Sequence, residues 1–174
     1  QLPAGGVGNI DLQGSLSPRD NGPLVAGVTG NLGQMRIEAN ASVSDLRNLE
    51  QVDLDLLASA PDLARILRLF GVHRVGEAPF MIALDLQRRG PTVVVEKGHI
   101  VFADAEFDFD ARLPEFPSPE DANMHLRIVG ADFARLRNVL GLPGRAEGPY
   151  SLVFDIDGDG SLRMNLGELE TVTT

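Results

Sequence analysis

Apolar and polar residues alternate along most of this chain, with an apolar side chain at every second position. The alternation is clearest over residues 35–43, 80–87, 106–113 and 123–128. A period of two places successive side chains on opposite faces of a strand, so each stretch predicts a strand with one apolar and one polar face. Such strands are typical of an antiparallel sheet that has one side in water.

The region between residues 92 and 119 interrupts this regular pattern. Residues 92–96 form a short β-branched run, and residues 98–104 predict another strand. Three prolines within residues 114–119 remove backbone donors, so that stretch predicts a connection and not a central strand. About five strands are then expected between one helical stretch and the next.

Two short stretches change from a strand period to a helical one. After Asp62, apolar residues recur at intervals of three and four, and they do so again after Asp132. Aspartate is a favoured N-cap, and a glycine follows each apolar stripe where a left-handed C-cap belongs. The spacing predicts helices over residues 62–70 and 132–140. Both are too short to be stable alone, so each must lie against an apolar surface.

The whole pattern recurs along the chain at a fixed interval. Residues 54–90 align without a gap on residues 124–160, with 9 identities in 37 positions, where about 2 are expected for unrelated sequences. This period of roughly 70 residues predicts a repeat protein. Its parts are the end of a preceding β unit at residues 1–60, a unit of about five strands and one helix at 61–130, and the start of the next unit at 131–174.

The predicted strands present more apolar surface than two short helices can cover. We expect a mainly β fold: an antiparallel, curved repeat sheet that forms a groove, with one short helix per unit of roughly 70 residues. The apolar faces either line an open trough, whose natural cargo is an acyl chain, or meet in a closed β-sandwich. Periodicity alone leaves both arrangements open. The residues expected to line the trough share one face: Ile82, Leu84, Phe107, Phe109, Leu126, Ile128, Leu152 and Phe154.

Composition narrows the possible partners. The chain has 25 acidic against 15 basic residues and a formal charge of −10, so the phosphates of a nucleic acid would be repelled. The absence of cysteine excludes disulfides, thiolate metal sites and cysteine nucleophiles. No run reaches the roughly 18 apolar residues of a membrane span. The chain opens without Met or a signal-peptide pattern, and we interpret it as a fragment whose anchor lies outside it.

Few residues suggest chemistry. Residues 155–162 match the start of a calcium-binding loop, but Leu166 occupies the position that requires a bidentate acid. A hairpin turn is therefore the favoured interpretation. His73, His99 and His125 lack the spacing of metal ligands. Because no nucleophile elbow, phosphate loop or dinucleotide fingerprint occurs, we predict no enzyme, no cofactor and no metal site.

Short strings surround the two predicted helices: residues 60–72 and 76–80 in the first unit, and residues 130–135, 141–143 and 148–150 in the second. In each unit a strand runs into a small Asp-led helix, and a glycine-proline or alanine-proline pair before an aromatic residue opens the next strand. These strings resemble the recurring unit of AsmA-like proteins. In the family the small helix is followed by glycine, an apolar residue and proline. The second unit has this sequence, ending at Pro143, but the first unit has His73 in place of the proline.

This resemblance implies a function. AsmA-like proteins, and the related TamB-like proteins, are anchored in the inner membrane of Gram-negative bacteria and extend long β-grooves into the periplasm. It implies a periplasmic segment that contacts or conducts phospholipid acyl chains, supports outer-membrane biogenesis and adjoins further repeats of the same full-length chain. The hypothesis from another class is a closed β-repeat domain, such as a scaffold or an adhesin-like module, without lipid cargo.

Overall fold

The computed structural model describes most of the chain. The described residues are 9–18, 22–44, 51–64, 76–116, 118, 121–140, 144–158 and 161–167. The strands are β1 (Ile10–Pro18), β2 (Leu24–Leu32), β3 (Met35–Val43), β4 (Gln51–Ala60), β5 (Phe80–Arg89), β6 (Thr92–Phe102), β7 (Ala105–Leu113), β8 (Asn123–Gly130), β9 (Tyr150–Ile156) and β10 (Leu162–Gly167). One helix, α1 (Phe133–Leu140), connects β8 to β9.

All ten strands belong to one antiparallel sheet. Each strand pairs with the next one in the chain, so the order across the sheet is β1 to β10. The described strands do not close on themselves or on a second sheet. The prediction of a mainly β, antiparallel repeat sheet is confirmed. A closed β-sandwich is not what the described part of the chain forms.

Strand β6 differs from the prediction. Residues 92–96 and 98–104 were expected to form separate strands, but Thr92–Phe102 is one strand of 11 residues. Its pairing with β5 shifts by one residue at Glu96, which is a β-bulge. The extra residue changes the phase of the alternation, so Val95 and Gly98 lie on the same face of the sheet although three positions separate them.

The strands repeat with the same period as the sequence. β3, β4 and β5 lie one period before β7, β8 and β9. A backbone hydrogen bond recurs at the same interval: Leu63 N donates to Ala78 O at 2.9 Å, and Phe133 N donates to Gly148 O at 2.8 Å. Four strands, β5 to β8, separate the two helical positions, where about five were expected. The bulged strand β6 accounts for the difference.

The predicted second helix is confirmed at Phe133–Leu140. Its N-cap is Asp132, whose Oδ1 accepts from Ala134 N at 2.9 Å and from Gly148 N at 3.1 Å, so one carboxylate fixes both the helix start and the approach to β9. Of the helix predicted over residues 62–70, residues 63 and 64 are helical and residues 65–70 lie outside the described residues.

The main buried cluster lies under α1, against strands β6 to β9, and Ala58, Ala60, Ala64 and Val93 are buried outside it. Phe133 contacts Tyr150 edge to face, with ring centroids 5.2 Å apart, and Gly76 N donates to Val139 O at 2.7 Å. The buried residues of this cluster are Ala78, Phe102, Ala105, Ile128, Leu136 and Tyr150. Among the described residues no large side chain is less than 2% exposed. A domain with two full layers would bury several completely, so the sheet is only partly covered.

Candidate functional site: the apolar face of the sheet

The eight residues expected to line a trough lie on one face of the sheet. Residues directly opposite each other in antiparallel strands project to the same side, and the register connects the eight through direct pairs across β5 to β9. They form two adjacent rows, completed by Ile100 and Gly98 of β6. The helix-proximal row is Ile82, Ile100, Phe107, Ile128 and Leu152, and the helix-distal row is Leu84, Gly98, Phe109, Leu126 and Phe154.

The eight predicted residues differ in how closely they pack against the core cluster. Ile128 belongs to the core cluster under α1, and Phe107, Leu126, Leu152 and Phe154 pack against that cluster. The remaining three of the eight predicted residues are Ile82, Leu84 and Phe109, which are half-buried beside their strand neighbours. This second group belongs to the part of the face that lies away from the core cluster.

The ring of Phe109 lies against the backbone of the sheet on the apolar face. Its ring covers Gly98 on the adjacent strand, because a Cβ placed on Gly98 would lie 2.2 Å from Phe109 Cζ. The bulge at Glu96 brings Gly98 to this position. A glycine opposite the aromatic residue therefore lets a large apolar ring lie along the sheet without rising far above it.

The apolar face continues through β1 to β4 with smaller side chains. The residues one period before the predicted lining residues include Gly14, Ala39 and Ala58 in place of Leu84, Phe109 and Ile128; they also include Leu12, Ile37 and Leu56. These residues were not among the predicted lining residues, although the sequence repeat identifies them. The exposed large apolar residues on this part of the face are Ile10 (64%), Leu12 (44%), Leu16 (65%) and Val28 (39%).

The opposite face carries two histidine–aspartate pairs. His99 Nδ1 lies 2.7 Å from Asp108 Oδ1, and His125 Nδ1 lies 2.6 Å from Asp155 Oδ1. In both pairs the residues stand directly opposite each other on adjacent strands. Because all four side chains are at least one-third exposed, each pair contributes at most about 1 kcal/mol to stability. His73 lies outside the described residues.

Three depressions of about 410, 470 and 490 Å³ also lie on this charged face, beside residues that include Asp85, His99 and His125. Residues 155–162 join β9 to β10, and Asp157 N donates to Ser161 O at 3.1 Å, which confirms the predicted hairpin. Among the described residues no three His, Asp or Glu side chains are grouped to hold a metal ion.

The hydroxyl of Tyr150 has a perturbed pKa. Burial, with Asp104 and Asp132 nearby, raises this pKa from 10.0 to about 12. The hydroxyl oxygen is buried and has no hydrogen-bond partner among the described residues. It lies in the core under α1, so it is part of the packing of the unit and not of the open face.

Within the described residues no helix is long and apolar enough to cross a membrane. Comparison with family models, curated proteins and solved structures finds no match to this chain. The resemblance to AsmA-like proteins therefore stays a prediction that these comparisons neither support nor oppose.

Proposed function

We propose that this chain is a segment of an AsmA-like periplasmic protein whose apolar sheet face contacts or conducts phospholipid acyl chains. One observation carries the proposal: strands β1 to β9 share one continuous apolar face, and the described core cluster under α1 covers the part of it on β6 to β9. An apolar face of this size in water is unfavourable, since each large side chain gains about 1.5–3 kcal/mol on burial. A hydrocarbon ligand would supply that burial.

The dimensions of the face suit an extended ligand. Strands in a sheet lie about 4.8 Å apart, so ten strands form a floor about 43 Å long. Each methylene transferred from water to such a surface gains about 0.8 kcal/mol. Because the rows run across every strand from β1 to β9, an acyl chain could move along them without leaving an apolar surface.

The other parts of the proposal follow the same resemblance. The segment is not an enzyme, and it supports outer-membrane biogenesis from the periplasm of a Gram-negative bacterium. Its partners are phospholipid and the adjoining repeats of the same full-length chain, and its anchor in the inner membrane lies outside the segment. The formal charge of −10 argues against nucleic acid as a partner.

Lipid retention by matched variants tests the proposal. The chain is incubated with vesicles of phosphatidylethanolamine and phosphatidylglycerol, repurified, and analysed for bound lipid by mass spectrometry. Leu84→Asp places a charge on the open apolar face, whereas Ala83→Asp places the same charge on the opposite face of the same strand. We expect Leu84→Asp to lose the lipid and Ala83→Asp to keep it.

Circular dichroism checks that each variant folds. If Leu84→Asp unfolds the sheet, Leu12→Asp and its control Gln13→Asp repeat the comparison on β1, where both side chains are already exposed. Folded wild-type chain that retains no phospholipid, or equal retention by both members of a pair, contradicts the proposal. Self-association through the apolar face without lipid would favour the structural or interaction domain instead.

A further inference from the structure

The outer edge of β1 has no partner strand among the described residues. The described side chains of β1 are exposed on both faces of the sheet, including Ile10, Leu12 and Leu16 on the apolar face. An edge strand of nine residues presents free backbone donors and acceptors together with these apolar side chains. Such an edge is a template for the addition of another strand.

The repeat shows which kind of strand fits this edge. β1 begins one period before β5, and β5 begins one period before β9. β1 pairs on its inner edge with β2, as β5 pairs with β6 and β9 with β10. The other edge of β5 is occupied by β4, and the other edge of β9 by β8. The edge of β5 and of β9 that is equivalent to the outer edge of β1 is therefore paired in both cases, and with the same type of strand.

We propose that the free edge of β1 binds an extended strand of the β4 and β8 type, supplied by a further repeat unit. The two existing pairs define the register. Asp55 faces Asp85 in the first pair and His125 faces Asp155 in the second, so the equivalent residue of the incoming strand faces Ser15.

The chemistry of the incoming strand follows from the positions that it must cover. Its residues opposite Leu12, Gly14 and Leu16 correspond to apolar residues of both β4 and β8: Ala58, Leu56 and Leu54 in β4, and Ile128, Leu126 and Met124 in β8. Gly14 stands where β5 has Leu84 and β9 has Phe154, which leaves room for a large side chain opposite it. The incoming strand is therefore apolar at alternate positions and polar between them.

Among its described strands, a second copy of this chain does not offer such a strand. In an intact copy β4 is paired with β3 and β5, and β8 is paired with β7 and β9. Its described strands with a free edge are β1 and β10, and neither corresponds to β4 or β8 in the repeat. The inference rests on the adjoining-repeat part of the proposed function and is independent of the lipid cargo.

Disulfide trapping tests the register. The chain has no cysteine, so Ser15→Cys supplies one reactive thiol on the exposed polar side of β1. The probe is a synthetic peptide with the sequence of residues 121–130 that carries His125→Cys, and the control peptide carries Asn123→Cys instead. In a glutathione redox buffer we expect at least about tenfold more mixed disulfide with the first peptide, because a shift of two residues separates the Cα atoms beyond the roughly 7 Å that a disulfide spans.

Hydrogen exchange of the unmodified chain gives a second measurement. The wild-type peptide should slow amide exchange in β1 and leave β10 unchanged, whereas a peptide with Leu126→Pro should have no effect. Equal disulfide yields with both cysteine peptides overturn the proposal, as does unchanged exchange in β1. Disulfide-linked dimers of the chain that the peptide does not suppress overturn it in favour of self-pairing. Neither result alters the lipid measurement, so the two proposals can fail separately.

Discussion

Gly130 lies directly under the ring of Tyr150, and replacing it with alanine should destabilise the chain. A Cβ on Gly130 would lie 2.4 Å from both Cε1 and the hydroxyl oxygen of Tyr150. The ring cannot easily move away, because Tyr150 is 3% exposed and packs against Phe133. Overpacking of a core costs about 1–3 kcal/mol, and alanine recovers about 0.5–1 kcal/mol over glycine within a strand. We expect Gly130→Ala to lower the free energy of unfolding by about 1–2 kcal/mol.

The first unit contains the compensating arrangement. Ala60 faces Phe80 there, in the positions where Gly130 faces Tyr150. Phenylalanine lacks the hydroxyl, which is one of three Tyr150 atoms that an added Cβ would meet, so its ring has more room to shift although Cε1 and Cζ remain. The hydroxyl of Tyr150 has no hydrogen-bond partner to lose among the described residues. Tyr150→Phe alone should therefore leave stability unchanged or raise it by up to about 1 kcal/mol. The double variant should be more stable than the sum of the single changes by about 1 kcal/mol.

A double-mutant cycle measures this coupling. The free energy of unfolding of the four proteins is taken from urea titrations followed by circular dichroism, with equal m-values as the condition for comparison. The strand preference of alanine over glycine cancels in the cycle, so the coupling reports the contact with the hydroxyl. Additivity within about 0.5 kcal/mol would refute the claim that this hydroxyl limits how far the ring can shift above Gly130.

Three further predictions concern single features of the fold. Tyr150 is the only tyrosine and there is no tryptophan, so phenolate absorbance should titrate near pH 12 in the folded chain and near pH 10 in urea. Stability is then full below pH 10 and falls as the pH rises toward 12, a loss that Tyr150→Phe should abolish. Asp132→Ala removes the N-cap of α1 and should lower the free energy of unfolding, measured in urea, by about 1–2 kcal/mol. Asp132→Asn keeps a side-chain acceptor and should lower it less. Deleting Glu96 should be tolerated in thermal melts, because removal of the extra residue leaves Val93, Val95 and Gly98 on one face in regular alternation. A strong destabilisation would contradict the bulge.

The faces of the sheet and the second helix could be predicted from the sequence because both depend on local spacing. Alternation over residues 80–87 and 106–113 determines which side chains share a face, and that assignment agrees with the register of β5 and β7. Asp132 determines where α1 begins through hydrogen bonds to nearby amides. These signals act within a few residues, so one sequence is enough to detect them.

Features that depend on distant strands could not be predicted in the same way. The break in alternation at Glu96 was interpreted as the end of one strand, but pairing on both sides keeps β6 continuous through a bulge. The pairs of His99 with Asp108 and of His125 with Asp155 require a register that spacing alone does not give. An open sheet and a closed sandwich also share the same alternation, because each strand has one apolar face in both.

Equivalent positions in successive units show that each unit depends on what precedes it. Tyr150, at the start of β9, is 3% exposed under the helix that follows β8. Phe80, at the start of β5, is half-buried, and Ile10, at the start of β1, is 64% exposed. The strand type is the same in all three cases, and the described neighbours differ: β9 has β8 and α1 beside it, β5 has β4, and β1 has no described strand on its outer edge. A repeat array stabilises its units through such neighbour contacts, and the exposed end of this sheet is therefore where an added strand would gain most.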